Sequence, residues 1–353
     1  MAPIFSHLAR ASASLALTAA VGSLGGGLFA WLGMPAAWLA GAMVAVAAAA
    51  LAGWPLAVPA AIRNTAFVLI GVSMGAGVTR EALGQMAAWP LSLAILAVSV
   101  IATLWASSAY LQRVRGWDPA TARFSAVPGA MSAVLILALS SPADLPRVAF
   151  AQSVRLFTLV ALIPAILQIA GFSGEGGIRM ASAASGSAPE VAVMLAVSAA
   201  GAWTLHALGV PGGVLLGSMV VSAFLHGADI VSGRPPPAIL IPGFIATGAV
   251  IGTRFRGVSL AVIRATLPAA LESVLLALAI SAGFAALASV LLDLPFGQLW
   301  LAYAPGGVEA MAVMAFALHL DPAFVGAHHV LRILGLNVFS PLWRRAGTKP
   351  APD

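Results

Sequence analysis

Cysteine is absent from this chain of 353 residues, and its absence removes several kinds of site at once. A chain without thiols has no disulfide bridge, no thiolate metal ligand and no cysteine nucleophile. Lysine is almost absent as well, since Lys349 is the only one, and the 17 basic residues are spread over many short segments. The net charge of +6 is therefore interpreted as the loop charge of a membrane protein, because no dense basic surface for nucleic acid is formed.

Charged residues are scarce along the whole chain. They make up 8% of it, whereas a soluble domain has about 25%. Apolar residues make up 61%, and the mean hydropathy is +1.02. The first apolar run, residues 11–31, is long enough to cross a bilayer and longer than the core of a signal peptide, roughly 7–15 residues. The composition predicts an all-α polytopic membrane protein.

The sequence contains two homologous repeats. Pro128 and Pro305 each precede a glycine, and we call the spacing between these two prolines the repeat offset. The same offset separates four further pairs: Gly71 and Gly248, Gly75 and Gly252, Asp144 and Asp321, Arg155 and Arg332. Earlier pairs are closer by a single residue: Gly33 and Gly209, Pro35 and Pro211, Gly41 and Gly217, Met43 and Met219. Two Gly-x-x-x-Gly motifs among these glycines are expected to pack helices closely.

Six apolar segments are predicted in each repeat. We expect the first membrane repeat over residues 11–171 and the second over residues 187–341. A short cytoplasmic tail is expected at 342–353. Membrane proteins built from two related halves are very often transporters, with the site where the halves meet.

Loop charge indicates how the two repeats are oriented. The loop after the fourth segment carries Arg113, Arg115 and Arg123 and is expected in the cytoplasm, whereas its counterpart carries Asp293 and no basic residue. In the loops after the third segment the order is reversed, because the loop of the second repeat carries more basic residues than that of the first. Equivalent loops therefore prefer opposite sides, which favours an inverted repeat with both termini cytoplasmic. A parallel repeat with twelve spans is the alternative.

An inverted repeat needs an odd number of crossings in each half, so one of the six segments must not cross. The candidates are the segments broken by Pro128 and Gly129 and by Pro305, Gly306 and Gly307. Irregular backbone at membrane depth is tolerated only where it is buried in protein or lines a cavity. We therefore expect about 10 transmembrane helices plus two re-entrant or broken Pro-Gly segments that contribute to substrate binding. Proline kinks that only shape the packing are the alternative.

Two arginines lie inside apolar segments at equivalent positions, Arg155 and Arg332. Gln152 and His329 precede them by three residues, on the same helix face. Ionisable residues at membrane depth are candidates for function, and paired arginines favour an anionic substrate. The alternatives are snorkelling to the interface and a structural ion pair with an earlier aspartate, Asp144 or Asp321.

Glu309 is the candidate for proton coupling, because it puts a carboxylate into the second Pro-Gly segment. The first repeat has Ser132 at that position, which becomes a substrate-binding candidate by equivalence. A pair of Glu309 and Arg332 that only neutralises both charges is the alternative. The histidines make no metal-binding pattern with a nearby carboxylate, so neither a metal nor another cofactor is expected.

Four stretches of the sequence resemble the AbrB family of bacterial integral membrane proteins. They are Gly33-Met34-Pro35, Gly209-Val210-Pro211, the run Phe-Ser-Ala-Val-Pro-Gly-Ala-Met at 124–131 and the run Ala-Pro-Gly-Gly-Val-Glu-Ala-Met at 304–311. The resemblance covers residues 12–340 and implies the labels that family members carry, ammonia monooxygenase and regulator of gene expression. A copper monooxygenase needs a histidine-rich site and a regulator needs a nucleic-acid surface or a soluble domain, and the sequence offers neither.

The sequence thus predicts a multi-pass protein of the bacterial inner membrane that is a secondary transporter of a small polar or anionic solute. Its expected partners are the lipid bilayer and that solute, without nucleic acid, and a homo-oligomer is left open. A membrane-embedded regulator of gene expression is the alternative. A membrane enzyme such as an ammonia monooxygenase comes third, although enzymatic activity is not expected.

Overall fold

The structure is a computed structural model that describes residues 2–76, 89–128, 131–139, 141–171, 187–228, 230–231 and 235–338. All regular secondary structure in these residues is helical, with fourteen α-helices. The first half holds α1 (Ala2–Trp31), α2 (Ala37–Leu51), α3 (Ala60–Gly75), α4 (Trp89–Arg113), α5 (Pro119–Ala126), α6 (Met131–Leu139) and α7 (Leu145–Ile169). The second holds α8 (Ala188–Ala207), α9 (Gly213–Gly227), α10 (Pro237–Gly252), α11 (Leu260–Leu292), α12 (Phe296–Tyr303), α13 (Val308–Ala317) and α14 (Pro322–Val338).

Five helices are long and apolar enough to cross a membrane. They are α4, α7, α11, the part of α1 over Ser12–Trp31 and the part of α8 over Pro189–Ala207. Other apolar helices, such as α2 and α9, have 15 residues each, which is below the roughly 20 residues of a full perpendicular span. The prediction of an all-helical protein with the composition of a membrane protein is confirmed.

Aspartate side chains cap the N-termini of three of the helices. Asp118 accepts a hydrogen bond from the backbone N–H of Thr121 (2.8 Å) at the start of α5, and Asp144 accepts one from Arg147 (3.0 Å) at the start of α7. Asp321 does the same at the start of α14. Such caps satisfy N–H groups that the first helical turn leaves without a partner. The aspartates eleven residues before the buried arginines are therefore helix caps, and Asp144 pairs instead with Arg147.

The chain forms two compact units, and each of them contains segments from both halves of the sequence. The first unit comprises Met1–Ala87, Val160–Val258 and Glu309–Gly326. The second unit comprises Ala88–Leu159, Ser259–Val308 and Ala327–Asp353. In the second unit α4 packs on α11, while the short helices α5 and α12 pack on α4 and α11 respectively.

In the first unit, α3 packs on α9, which belongs to the other half of the sequence. A Cβ atom on Gly71 would clash with the carbonyl group of Leu215, and one on Gly75 would clash with that of Met219. Both helices advance together from the first contact to the second, so they run in the same direction. Glycine is needed here because the two backbones touch.

The other Gly-x-x-x-Gly motif makes the equivalent contact between α10 and α2. A Cβ on Gly248 would clash with the carbonyl group of Leu39, and one on Gly252 would lie 2.8 Å from the carbonyl oxygen of Met43. These helices also run in the same direction. Each motif therefore joins helices that come from different halves of the chain.

Within the same unit, α3 runs opposite to α10. Arg256 follows α10 and donates from Nη1 to the carbonyl oxygen of Leu56 (3.1 Å), so the connection before α3 lies at the C-terminal end of α10. From there α3 passes Gly243, near the start of α10, where an added Cβ would lie 3.0 Å from Ile70. The helix α3 thus returns along α10 toward its N-terminal end.

Candidate functional site

Both Pro-Gly segments are interrupted helices; α5, α6 and α12 belong to the second unit, whereas α13 from Glu309 onward belongs to the first. The helix α5 ends at Ala126 and α6 begins at Met131, while α12 ends at Tyr303 and α13 begins at Val308. Each interruption leaves C-terminal carbonyls of one helix and N-terminal N–H groups of the next without helical partners. Pro128, Pro305 and Gly306 are buried in these interruptions and Gly307 is half-buried, whereas Gly129 lies outside the described residues and the side chain of Ser132 is not described.

Arg155 of α7 binds the carbonyl groups at the first interruption. Its Nη1 donates to the carbonyl oxygen of Val127 (2.9 Å), and its Nη2 donates to Oε1 of Gln152. Gln152 in turn donates from Nε2 to the carbonyl oxygens of Phe124 (2.8 Å) and Val127 (3.1 Å). Both side chains are almost completely buried. The arginine and the glutamine together satisfy the carbonyl end of α5.

Arg332 of α14 makes the same arrangement at the second interruption. It donates from Nη1 to the carbonyl oxygen of Ala304 (2.7 Å) and from Nη2 to that of Gly306 (2.6 Å) and to Nδ1 of His329 (2.6 Å). The Nε2 of His329 lies 2.9 Å from the carbonyl oxygen of Leu301. Because an arginine only donates, Nδ1 must accept, and Nε2 carries the proton that goes to Leu301. His329 is thus neutral in this contact.

We call these two arrangements the arginine clamps: Arg155 with Gln152, and Arg332 with His329. Their carbonyl partners are equivalent in the repeat, because the repeat offset separates Phe124 from Leu301 and Val127 from Ala304. The Nη donors point to backbone carbonyls, which are obligatory partners when buried. The sequence predicted that these four side chains belong to one kind of site; it did not predict that their first partner is the backbone.

Glu309, the predicted proton-coupling residue, lies in the first turn of α13 and is half-buried. It begins the last segment of the first unit, whereas the two arginine clamps belong to the second unit. Within the first unit, the negative charge of Glu309 stabilises the positive charge of Arg254, which follows α10.

A small cavity lies beside the first arginine clamp. It has a volume of about 10 Å³ and is lined by α4, α5, α7 and α11, including Ser107, Ser125, Ala126, Ala151 and Arg155. Pro305 of the second interruption also lines it. A space of this size is near the lower limit for holding one water molecule. The cavity thus brings residues of both interruptions together.

A buried network that sequence reasoning missed lies near the second clamp. Ser92 Oγ is 2.9 Å from Nε2 of His328 and 3.0 Å from the hydroxyl of Tyr303, which donates to the carbonyl oxygen of Ser92 (2.9 Å). All three side chains are at most 2% exposed. The available signal was a departure from the repeat, because Ala126 and Ala151 stand one repeat offset before Tyr303 and His328.

Within the described residues, no group of three or more histidine, aspartate and glutamate side chains could hold a metal ion. The buried polar side chains are mostly hydroxyl groups. On α4 they follow one face of the helix, at Ser92, Ser99, Thr103 and Ser107. Such a face suits small polar ligands or close packing rather than metal binding.

The family model and a similar known protein point to the same family. Residues 38–346 match the model of a family described as "Transition state regulatory protein AbrB". The chain is 27% identical over 336 residues to the "Putative regulator AbrB" of Escherichia coli (strain K12), with 90% of this chain and 92% of that protein covered. It is 26% identical over 353 residues to the "Uncharacterized protein YhjN" of Bacillus subtilis (strain 168), with 92% and 91% covered. No solved structure matches the chain.

Proposed function

The chain belongs to the AbrB family, and from that premise we propose that it is a secondary transporter of a small polar or anionic solute in the inner membrane. The observation that carries the proposal is the pair of arginine clamps, which hold two interrupted helices at equivalent positions of the chain. Interrupted helices at membrane depth occur where backbone groups are buried in protein or line a pathway.

The proposed architecture is an inverted repeat with ten spans, two interrupted segments and both termini in the cytoplasm. Helix boundaries support the repeat. The starts of α3 and α10 are separated by the repeat offset, and so are both the starts and the ends of α5 and α12. The starts of α2 and α9 are closer by a single residue, which agrees with the shorter spacing of the earlier sequence pairs.

Helix directions support the inversion. In the first unit α2 runs parallel to α10 and α3 runs parallel to α9, whereas α3 and α10 run in opposite directions. It follows that α2 and α9, which are equivalent, run in opposite directions as well. A parallel repeat would require equivalent helices to run the same way. Opposed equivalent helices are what a pseudo-twofold axis in the membrane plane produces.

The chemistry of the interruptions favours an anionic or strongly polar solute. Arg155 and Arg332 bring two positive charges to the interrupted helices, and both are buried. Their Nη groups already bind backbone carbonyls, so they act on a solute through charge and by fixing the interrupted backbone rather than through free donor groups. Glu309 has no acidic counterpart in the first repeat, where Ser132 stands, and we propose that it carries the coupled proton.

The proposal is tested by uptake into proteoliposomes made with the purified full-length protein, screened over small anions and polar solutes with and without a pH gradient. Arg332→Lys retains a positive charge but cannot bridge Ala304, Gly306 and His329, and we expect it to abolish most of the uptake. Glu309→Gln should retain uptake down a solute gradient and lose its dependence on pH. If the folded protein moves none of these solutes, the proposal is wrong; if Glu309→Gln keeps the pH dependence, only the coupling role is wrong.

A membrane-embedded regulator is the second candidate, and the printed names of the family and of the Escherichia coli relative favour it. The two functions are separated by comparing transcripts in a deletion strain complemented with the unaltered protein or with Arg332→Lys. If the transport-deficient variant restores normal transcript levels, regulation does not depend on transport. If it fails to restore them, the regulatory effect follows from the solute that is moved.

A further inference from the structure

The two arginine clamps have equivalent partners, but their surroundings differ. Beside Arg155, the side chains of Ala126 and Ala151 leave the cavity open. The equivalent residues of the second repeat are Tyr303 and His328, which are buried and joined through Ser92. The second repeat thus has two large side chains at the positions where the first has two alanines.

The cavity that remains has a few polar residues in a mostly apolar lining. Ser107, Ser125, Ser273 and Arg155 are the polar residues that line it, and the hydroxyl of Ser107 donates to the carbonyl oxygen of Ser273 (3.5 Å). Ser125 is 7% exposed, and its Oγ has no hydrogen-bond partner among the described residues. A buried hydroxyl is normally satisfied, so an orphan one in a cavity wall indicates a ligand or a water molecule.

The charge near the cavity is positive. Arg332 is 5% exposed, and its described partners are two backbone carbonyls and His329, without a carboxylate. The positive charge of Arg155 also repels the positive charge of Arg332. Neutral carbonyl and imidazole groups spread a buried charge but do not cancel it. A small anion in the cavity would lower the free energy of both arginines.

We propose that this cavity is a binding subsite for one compact monovalent anion, held by the hydroxyls of Ser107, Ser125 and Ser273 in the positive field of Arg155 and Arg332. A second copy of the subsite is not expected, because Tyr303 and His328 stand where the first repeat has Ala126 and Ala151. This inference rests on the proposed transporter and its repeat, and it gives that transporter a ligand class. The volume of about 10 Å³ is that of one water-sized group, so the occupant is a single atom, and a chloride ion enters only when the lining side chains move apart slightly.

The experiment is equilibrium retention of radioactive chloride by the purified full-length protein in detergent and gluconate buffer. Ala151→Leu places extra carbon atoms in the cavity, and Ser125→Ala removes the orphan hydroxyl. Each is expected to weaken chloride retention by about tenfold or more, since a lost charge-assisted contact has that effect. The double substitution Ala126→Tyr with Ala151→His copies the two large side chains of the second repeat and should abolish retention.

The matched control is Ala149→Leu, which adds the same atoms to a half-buried position of α7 that does not line the cavity. It should retain chloride as the unaltered protein does. Circular dichroism and the thermal unfolding midpoint are recorded for every variant, and Ser125→Ala carries the test if the larger substitutions unfold. Absence of retention by the folded unaltered protein, or full retention by both Ala151→Leu and Ser125→Ala, would overturn the subsite.

The two proposals fail in different ways. If chloride is retained with the expected pattern but no solute crosses the liposome membrane, the subsite stands and the transporter does not. If a solute is transported while chloride is neither retained nor inhibitory, the transporter stands and the subsite does not.

Discussion

Arg332 illustrates how a cation is held inside an apolar helix. Its planar guanidinium donates from two Nη atoms and therefore reaches Ala304, Gly306 and His329 at once. A lysine side chain donates from a single nitrogen atom and cannot replace all three contacts. The sequence predicted a buried arginine with a histidine beside it on one helix face. It could not predict the carbonyl partners, because these depend on where α12 stops.

Replacing Arg332 by lysine should therefore destabilise the protein. The substitution leaves at least one buried carbonyl without a donor, and such a group costs about 1–3 kcal/mol. The measurement is the thermal unfolding midpoint in detergent. Arg115→Lys is the control, because Arg115 and Glu272 form a salt bridge with both side chains partly exposed and the change should have no measurable effect. An equal loss in both variants would contradict the clamp.

Asp321 should make stability depend on pH. Burial raises the pKa of this carboxyl above its usual range, against the effect of the N–H groups of Phe324 and Ala323. A raised pKa in the folded state means that the folded protein gains stability as pH falls and loses it as pH rises through that pKa. Asp321→Asn keeps the cap without this titration. From about pH 7 to about pH 4, the midpoint of the unaltered protein should rise relative to that of the variant, and a constant difference would contradict the assignment.

At the level of the helices, the glycine motifs determine how closely two helices pack. The Gly-x-x-x-Gly pattern predicted close packing, and the contacts of Gly71 and Gly248 agree with it. The sequence did not indicate which helices would meet. A glycine motif allows a short distance between two helices, but it does not select the partner helix. The pairing of α3 with α9 and of α2 with α10 had to come from the structure.

Gly248→Ala should lower the free energy of unfolding by about 1–3 kcal/mol, since overpacking a closed interface costs that much. The added methyl would meet the carbonyl group of Leu39. Gly283→Ala is the matched control, because nothing lies within 4 Å of an added Cβ there and alanine favours the helix by about 0.5–1 kcal/mol. Unfolding by denaturant in detergent measures both. An equal response of the two variants would argue against the packing of α10 on α2.

For the molecule as a whole, composition was enough to predict an all-helical protein with long apolar helices, and the two Pro-Gly pairs predicted where both helix interruptions fall. The two compact units were not predicted. They take segments from both halves, and no local pattern in a sequence records a division that is made by contacts between distant segments.

The proposed inverted repeat predicts that the loops after α4 and α11 face opposite sides of the membrane. Reporter fusions after Arg115 and after Asp293 should give opposite signals, with the Arg115 fusion reporting the cytoplasm. The absence of cysteine allows an independent measurement, because a single introduced cysteine is then the only target of an impermeant maleimide. Signals from the same side would favour twelve spans in a parallel repeat.

The crossed pairing of α2 with α10 and of α3 with α9 also has a consequence for biosynthesis. When α2 has left the ribosome at Leu51, its partner α10 does not begin until Pro237, a delay of roughly ten to forty seconds at about 5–20 residues per second. During that time α2 lacks its partner α10, and α3 keeps Gly71 and Gly75 uncovered until α9 has been made, so both helices are available to chaperones and proteases. Two separately translated pieces divided between Gly171 and Ser187 should each be degraded when made alone and should rescue one another when made together.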